Sequence, residues 1–160
     1  MSYPAGTSLA QAVGTGSVVS IGAVTGSTGT ETFTVIGEVS DAKFSGRKRA
    51  TTSTTSFASL GVARKLDTIV DYGQFTCTVL RVSNNAGQVA IINANTVGGT
   101  WDFKVQLPVN TKAGQTTTGD LITFSGIVTE AGDFDISLTK ASEYTFTVDI
   151  DGSWTVTAGS

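Results

Sequence analysis

The chain has 160 residues and a formal net charge of −3, and only 14% of its residues are charged. This acidic balance excludes a protein that binds nucleic acid over its whole surface. The chain has no histidine and a single cysteine, Cys77, which excludes a Ser-His-Asp triad and an internal disulfide. The length predicts a single domain over residues 1–160, and 19 glycines among many Thr and Ser residues favour short strands joined by turns.

The chain is predicted to begin with an extended arm and a strand. Residues 1–16 contain glycines among small side chains and are predicted to form an N-terminal arm. Residues 18–24 are rich in Val and Ile and lead into a Gly-rich turn, which predicts the first strand. The start lacks the pattern of a signal peptide, and no apolar run approaches the roughly 18 residues of a membrane span. We therefore expect no insertion into a membrane.

Residues 31–40 are predicted to form one half-buried antiparallel strand, because apolar and polar side chains alternate along them. This alternation places Phe33 and Val35 on the side of the core. The opposite side of the strand is formed by polar residues: Thr32, Thr34 and Glu38.

Residues 41–65 show neither strand alternation nor a helical stripe, and they are predicted to form a long loop between strands. Loops of this length are usually functional or disordered. Basic residues cluster in the loop, and an aromatic residue follows the Thr/Ser tract: Lys43, Arg47, Lys48, Arg49 and Phe57. Three interpretations stay open, namely a nucleic-acid patch, a solvated loop, or an interaction arm. Such an arm would contact acidic residues of a neighbouring subunit, with Glu130 and the acidic C-terminal segment as candidates.

The second half of the chain is dominated by alternating patterns. They predict strands over residues 75–80, 100–107 and 121–129, and apolar residues at positions 134, 136 and 138 continue the last pattern. Near the C-terminus, alternating segments flank Asp151-Gly152, a dipeptide typical of two-residue hairpin turns. We therefore expect two short strands joined by a tight turn there.

Residues 86–95 are predicted to form a short helix. Ala86, Val89 and Ile92 recur at helical spacing, and Asn85 is a suitable N-cap. Gly98 and the glycine after it would end the helix. Many short strands and one helix predict a mainly β fold, namely a sandwich or barrel of antiparallel strands with one short flanking helix.

The residue inventory favours a protein without catalysis. Cys77 lies between apolar residues of a predicted strand and has no base to activate it, which predicts a buried structural thiol. Two acidic pairs, Asp133/Asp135 and Asp149/Asp151, could hold a metal or act as an acid/base pair, but an exposed polar strand face followed by a hairpin turn explains them more simply. We expect no enzyme activity, no cofactor and no metal.

In chain order, several segments together resemble the tail tube protein, or major tail protein, of bacteriophages with long flexible tails. The resemblance rests on GTSLAQA with SVVSIGAV, FTVIGEVSDAKFSG, RKRATTSTTSF and KLDTIVDYGQFTCTVLRV. AGQVAIINAN in the place of the helix, TWDFKVQLP, LITFSGIVTEAG and the closing strands complete it. It spans nearly the whole chain and depends on the succession of patterns, not on any one motif.

The resemblance implies a β-sandwich that joins copies of itself into stacked, six-membered rings. These rings form the hollow tube of a virion tail, assembled in the host cytoplasm, and DNA passes through the lumen without specific binding. Further partners would be the tail terminator, tail tip and tape measure proteins. The loop over residues 41–65 would contact the adjacent ring through the basic cluster and Phe57. A neutral or acidic lumen would let DNA slide, and Thr32, Thr34 and Glu38 are the predicted lumen residues.

Two other functions stay open. The tube of a contractile tail or secretion system would use the same sandwich. In an adhesin-like or carbohydrate-binding sandwich, Trp101 and Trp154 would be stacking platforms. Both tryptophans fall on the apolar side of predicted strands, which favours core packing instead.

Overall fold

A computed structural model describes residues 16–26, 30–55, 61–135, 138–139 and 141–160, with the backbone alone for residues 133–135. The predicted N-terminal arm, apart from its last residue, lies outside this range, and so does Phe57. Among the described residues, no helix has the length and apolar character needed to cross a membrane.

Strands dominate the described part of the chain, and one α-helix accompanies them. The elements are β1 (Val18–Val24), β2 (Thr34–Ile36), β3 (Val39–Ser45), β4 (Lys48–Ser53), β5 (Lys65–Asp71), β6 (Gln74–Leu80), α1 (Ala86–Val97), β7 (Thr100–Gln106), β8 (Leu121–Asp135) and β9 (Glu143–Thr157). The predicted strands around residues 18–24, 75–80 and 100–107 are confirmed.

Seven strands form one antiparallel sheet in the order β2-β1-β7-β8-β9-β6-β3. In a flat sheet of seven strands the two edges would lie roughly 29 Å apart. Here only Gly37 and Glu38 connect the edge strands β2 and β3, so Ile36 and Val39 can be at most about 11 Å apart. The sheet therefore curls until its edges converge at this connection. A mainly β, sandwich- or barrel-like fold with one short helix is confirmed.

The inside of the curled sheet is an aromatic and aliphatic core. Phe75, Phe103 and Phe146 are almost completely buried, as alternation along β6, β7 and β9 predicted. Phe124 of β8 packs on Phe75 at 5.1 Å and stacks on Phe103 at 5.2 Å between ring centroids. Burial of each such side chain stabilises the fold by roughly 1.5–3 kcal/mol.

The predicted helix and its N-cap are confirmed, but its buried face is not the expected one. The Asn85 side chain accepts a hydrogen bond from the Gln88 amide, and the helix ends at Gly98. Its buried residues are Gly87, Gln88, Ile91 and Ala94, whereas Val89 is 58% exposed. The spacing of apolar residues was misleading because strand β2 packs on the helix face that contains Gly87. The approach is so close that a Cβ on Gly87 would lie 2.2 Å from the Val35 carbonyl oxygen.

The prediction of one strand over residues 31–40 is wrong. Strand β2 ends at Ile36, and Glu38 has a φ of 58°, which stops the extended backbone between the two edges of the sheet. The expected core side is also reversed at this point. Val35 is 54% exposed and Ile36 is 2% exposed, because packing against α1 and the core decides which side of this short strand is buried.

The predicted hairpin at Asp151-Gly152 is also wrong. Strand β9 continues through it, and the register against β8 shifts between Ser125↔Asp151 and Thr123↔Thr155. Gly152 adopts a φ of 84° within this irregularity. The dipeptide therefore forms a β-bulge, because β8 is long enough to pair with both halves of β9 and satisfies their backbone hydrogen bonds.

The long loop predicted over residues 41–65 contains strands. Residues up to Ser45 belong to β3, and β4 and β5 pair with each other as a separate two-stranded sheet. The pattern was missed because β4 is exposed along its whole length, so no apolar alternation marks it.

Candidate functional site

Residues 46–55 and 61–73, called the arm from here on, include the paired strands β4 and β5 and extend the β3–β6 pair beyond the curled sheet. The last pair in the main sheet is Ser45↔Gln74, and the first pair in the arm is Lys48↔Asp71. Strand β4 is fully exposed, and in β5 only Val70 is partly buried. In the described part of the chain, β4 and β5 pack on each other and meet other elements only through isolated contacts.

The arm is joined to the sheet by two facing glycines. Gly46 and Gly73 have φ angles of 86° and 77°, a region that favours glycine. A Cβ on Gly73 would lie 2.0 Å from the carbonyl oxygen of Ser45 and 2.7 Å from the carbonyl carbon of Gly46. The two backbones therefore touch at this junction between the sheet and the arm, called the kink from here on. A side chain cannot be placed there without a shift of one strand.

Arg47 braces the kink from one side. Its guanidinium carbon lies 4.9 Å from the ring centroid of Tyr72 and 5.4 Å from that of Trp154. Trp154 follows the β9 bulge and also packs on Phe44, 5.9 Å between ring centroids. Each cation–π contact at an exposed site contributes roughly 0.5–1 kcal/mol. We therefore expect this stack to restrain the direction in which the arm leaves the sheet.

The structure separates the predicted basic cluster into different environments. Lys43 is exposed on the edge strand β3, and Arg47 belongs to the stack at the kink. Lys48 and Arg49 are exposed on β4, where Arg49 forms an ion pair with Asp67 across the hairpin. Three of the four predicted basic residues thus belong to the arm, whereas Lys43 lies on the main sheet.

The arm also exposes apolar side chains that the sequence prediction did not include. Val62, Leu66 and Ile69 are exposed by 63%, 57% and 79%. The aliphatic and β-branched residues of KLDTIVD were visible in the sequence, and they could have identified β5. Exposed aliphatic residues on a protruding element are a frequent mark of a protein contact.

Charge is distributed unequally between the arm and the rest of the chain. The arm contains five basic and two acidic residues, a net charge of +3, whereas the rest of the chain has a net charge of −6. The basic residues near the outer end of the arm, Arg64 and Lys65, are exposed.

The opposite end of the sheet is acidic and partly apolar. Strand β6 runs from Gln74 beside the arm to Leu80, which pairs with Glu143. Glu143 is exposed, and its register partner on β8 is Asp135. Glu38 is exposed at the same end, where its carbonyl accepts a hydrogen bond from the Leu80 amide.

The start of α1 is fastened to this end of the sheet by Gln88, whose side-chain amide donates to the carbonyls of Leu80 and Gly37. Val82 and Val89 are exposed beside this attachment, by 41% and 58%. Arg81 is a basic residue at the same place.

The structure does not bring the predicted lumen residues together on one exposed face. Thr32 is exposed, and Thr34 of β2 is half-buried opposite Ile21 of β1. Thr34 lies on the same side of β2 as the buried Ile36. Glu38 lies in the connection between the sheet edges, so alternation over residues 31–40 does not group the three.

The described residues contain no group of three or more Cys, Asp or Glu side chains that could hold a metal ion. The carboxylates of Asp149 and Asp151 point to different partners, the amide of Gln74 and the hydroxyl of Thr100. Cys77 is 1% exposed, and its burial, followed by the charge of Asp41, raises its pKa from 9.0 to about 12. The prediction of a buried thiol is confirmed, and this thiol is poorly suited to act as a nucleophile.

Comparison with known proteins gives no family for the chain. No protein-family model matches it, and no curated protein matches its sequence.

Proposed function

We propose that the chain is a structural subunit that assembles with copies of itself into the tube of a bacteriophage tail. The arm is the observation that carries the proposal. A hairpin that exposes Leu66 and Ile69 does not add hydrophobic stabilisation to the isolated subunit, because it leaves apolar surface in water. Contact with another copy would bury that surface.

The shape of the sheet supports assembly in a second direction. The curled sheet leaves β2 and β3 as unpaired edges among the described strands, and sheet edges pair readily with other chains. Asp41 and Lys43 are exposed on β3, where charged side chains limit indiscriminate pairing. Edge contacts would form a ring and arm contacts would stack rings, in line with the resemblance to tail tube proteins.

The charge distribution supports passage of DNA through such a tube. The chain outside the arm carries a net charge of −6, which disfavours tight binding to a polyanion. The basic residues of the arm would lie between copies and not along the DNA path.

A carbohydrate-binding role receives no support from the two tryptophans. The Trp101 indole donates to the Gly98 carbonyl at 3.0 Å, and the Trp154 ring packs on Phe44 and Tyr72. Both rings are half-buried and contact their own chain.

The proposal is tested by electron microscopy of the purified, concentrated protein, with analytical ultracentrifugation in parallel. We expect rings or hollow tubes, and a gel-shift assay with duplex DNA at physiological salt should show no tight binding. A protein that stays monomeric at high concentration would contradict the proposal. The arm is tested with a Lys48→Glu/Arg64→Glu/Lys65→Glu variant, which should fold but not stack.

A further inference from the structure

We propose that the arm of one copy binds the opposite end of the sheet in a second copy. The binding surface, called the acceptor face, consists of Glu38, Val82, Val89 and Glu143. This inference rests on the proposed self-assembly and names the partner surface of the arm.

The acceptor face and the arm lie at opposite ends of the same strand pairs. Along β6, the arm begins next to Gln74, whereas Leu80 at the other end contacts the acceptor face through Glu38 and Glu143. Six residue steps in a strand span roughly 20 Å. A subunit therefore presents a donor surface at one end and an acceptor surface at the other.

Charge makes the two surfaces complementary. Lys48, Arg64 and Lys65 are exposed on the arm, and Glu38 and Glu143 are exposed on the acceptor face. The exposed basic side chains of one arm would therefore meet exposed carboxylates of the next copy.

The apolar residues of the two surfaces match as well. The arm exposes Val62, Leu66 and Ile69, and the acceptor face exposes Val82 and Val89. Small aliphatic side chains on both sides can form the dry centre of a contact, with the charged residues at its rim. Among the described residues beside the acceptor face, Arg81 is basic, whereas Glu38 and Glu143 are acidic.

The contact is heterologous, because the donor and acceptor surfaces differ. A heterologous contact between opposite ends does not close on a pair of molecules and propagates into an open stack. Such a contact would stack rings along one axis of the proposed tube.

The test is a charge exchange between two variants. Variant A carries Lys48→Glu/Arg64→Glu/Lys65→Glu in the arm, and variant B carries Glu38→Lys/Glu143→Lys in the acceptor face. Each variant alone should assemble at least about tenfold more slowly than the unmodified chain, because like charges then meet. An equimolar mixture should assemble again, since every arm then finds an oppositely charged acceptor face.

The matched control is Glu31→Lys/Asp151→Lys, which reverses two exposed acidic residues away from the acceptor face. It should assemble as the unmodified chain does, and circular dichroism should show that all variants are folded. Normal assembly of variant B, or a mixture that stays unassembled, would overturn the acceptor face while the self-assembly itself stands. If the unmodified chain does not assemble, the proposed function fails instead.

Disulfide trapping gives an independent readout. A mixture of Ile69→Cys and Val89→Cys chains should form intermolecular dimers on oxidation in the assembled state. Val97→Cys replaces Val89→Cys in the control, since Val97 is 68% exposed at the other end of α1. Cys77 is buried and does not compete. Equal dimer yields from the Val89 and Val97 variants would contradict the proposed contact.

Discussion

The guanidinium of Arg47 lies over the ring of Tyr72, with 4.9 Å between its central carbon and the ring centroid. Both residues belong to the kink between the curled sheet and the arm, and Trp154 of β9 closes the stack. A residue that the sequence assigned to a contact between subunits therefore has a structural role within its own chain. These contacts lie at the base of the arm and are made within one chain.

Loss of the guanidinium should loosen the arm. Arg47→Lys keeps the charge but lacks the planar group that stacks on aromatic rings. We expect faster hydrogen exchange of the β4 and β5 amides and a shifted Trp154 emission, measured in a Trp101→Phe background. Lys48→Ala, at a neighbouring exposed position, is the control. Unchanged exchange and emission in Arg47→Lys would show that the stack does not hold the arm.

The facing glycines should tolerate no side chain. Gly73→Ala places a Cβ about 2.0 Å from the Ser45 carbonyl oxygen at a φ of 77°, and we expect a loss of more than about 2 kcal/mol in the free energy of unfolding. Gly61→Ala has a similar φ of 78° but no atom within 4 Å, so it should cost only about 1 kcal/mol. Urea denaturation measures both. Equal losses would mean that contact between the backbones is unimportant.

The Asn85 side chain should stabilise the fold by more than an ordinary helix N-cap does. Its side-chain oxygen accepts from the Gln88 amide at 3.1 Å and from the Gly37 amide at 3.3 Å. Asn85→Ala should therefore lower the free energy of unfolding by at least the roughly 1 kcal/mol typical of a lost cap. Asn93→Ala, at an exposed position of α1, serves as the comparison in the same thermal or urea melts. A loss no larger than that of Asn93→Ala would contradict the double role.

The buried thiol should make stability depend on pH in the alkaline range. Burial raises the pKa of Cys77 from 9.0 to about 12, so the folded state keeps a proton that the unfolded state loses above pH 9. The stabilising effect is complete below pH 9 and is lost as the pH rises towards 12. Unfolding experiments between pH 8 and 11 should show a smaller decline for Cys77→Ala. Identical declines in both proteins would contradict a raised pKa.

The same thiol should resist modification at neutral pH. A thiol reagent attacks the thiolate, and Cys77 is 1% exposed. We expect reaction of the folded chain to be limited by unfolding, and rapid reaction in denaturant. Immediate stoichiometric labelling of the folded protein would show that Cys77 is accessible.

Alternation predicted the central strands well, because Phe75, Phe103 and Phe146 all face one core. Asn85 also identified the start of α1, since an N-cap is a local interaction. Both kinds of prediction succeed where neighbouring residues alone decide the conformation.

Local patterns failed where a distant segment decides the conformation. Asp151-Gly152 forms a bulge and not a turn, since β8 pairs with both sides of it. Val35 is exposed because α1 and the core take the other side of β2. In β4, exposure on both sides removed the periodic signal altogether.

The order of residues along the chain was enough to predict a mainly β protein with one capped helix, a buried cysteine and a basic segment within an acidic chain. These properties follow from composition, from local hydrogen bonding and from the period of apolar residues. Long-range strand pairing makes the basic segment a protruding arm and collects acidic and apolar residues at the opposite end of the sheet. Strand order and register create that polarity, because they bring together Glu38, Leu80 and Glu143 from three separate parts of the chain.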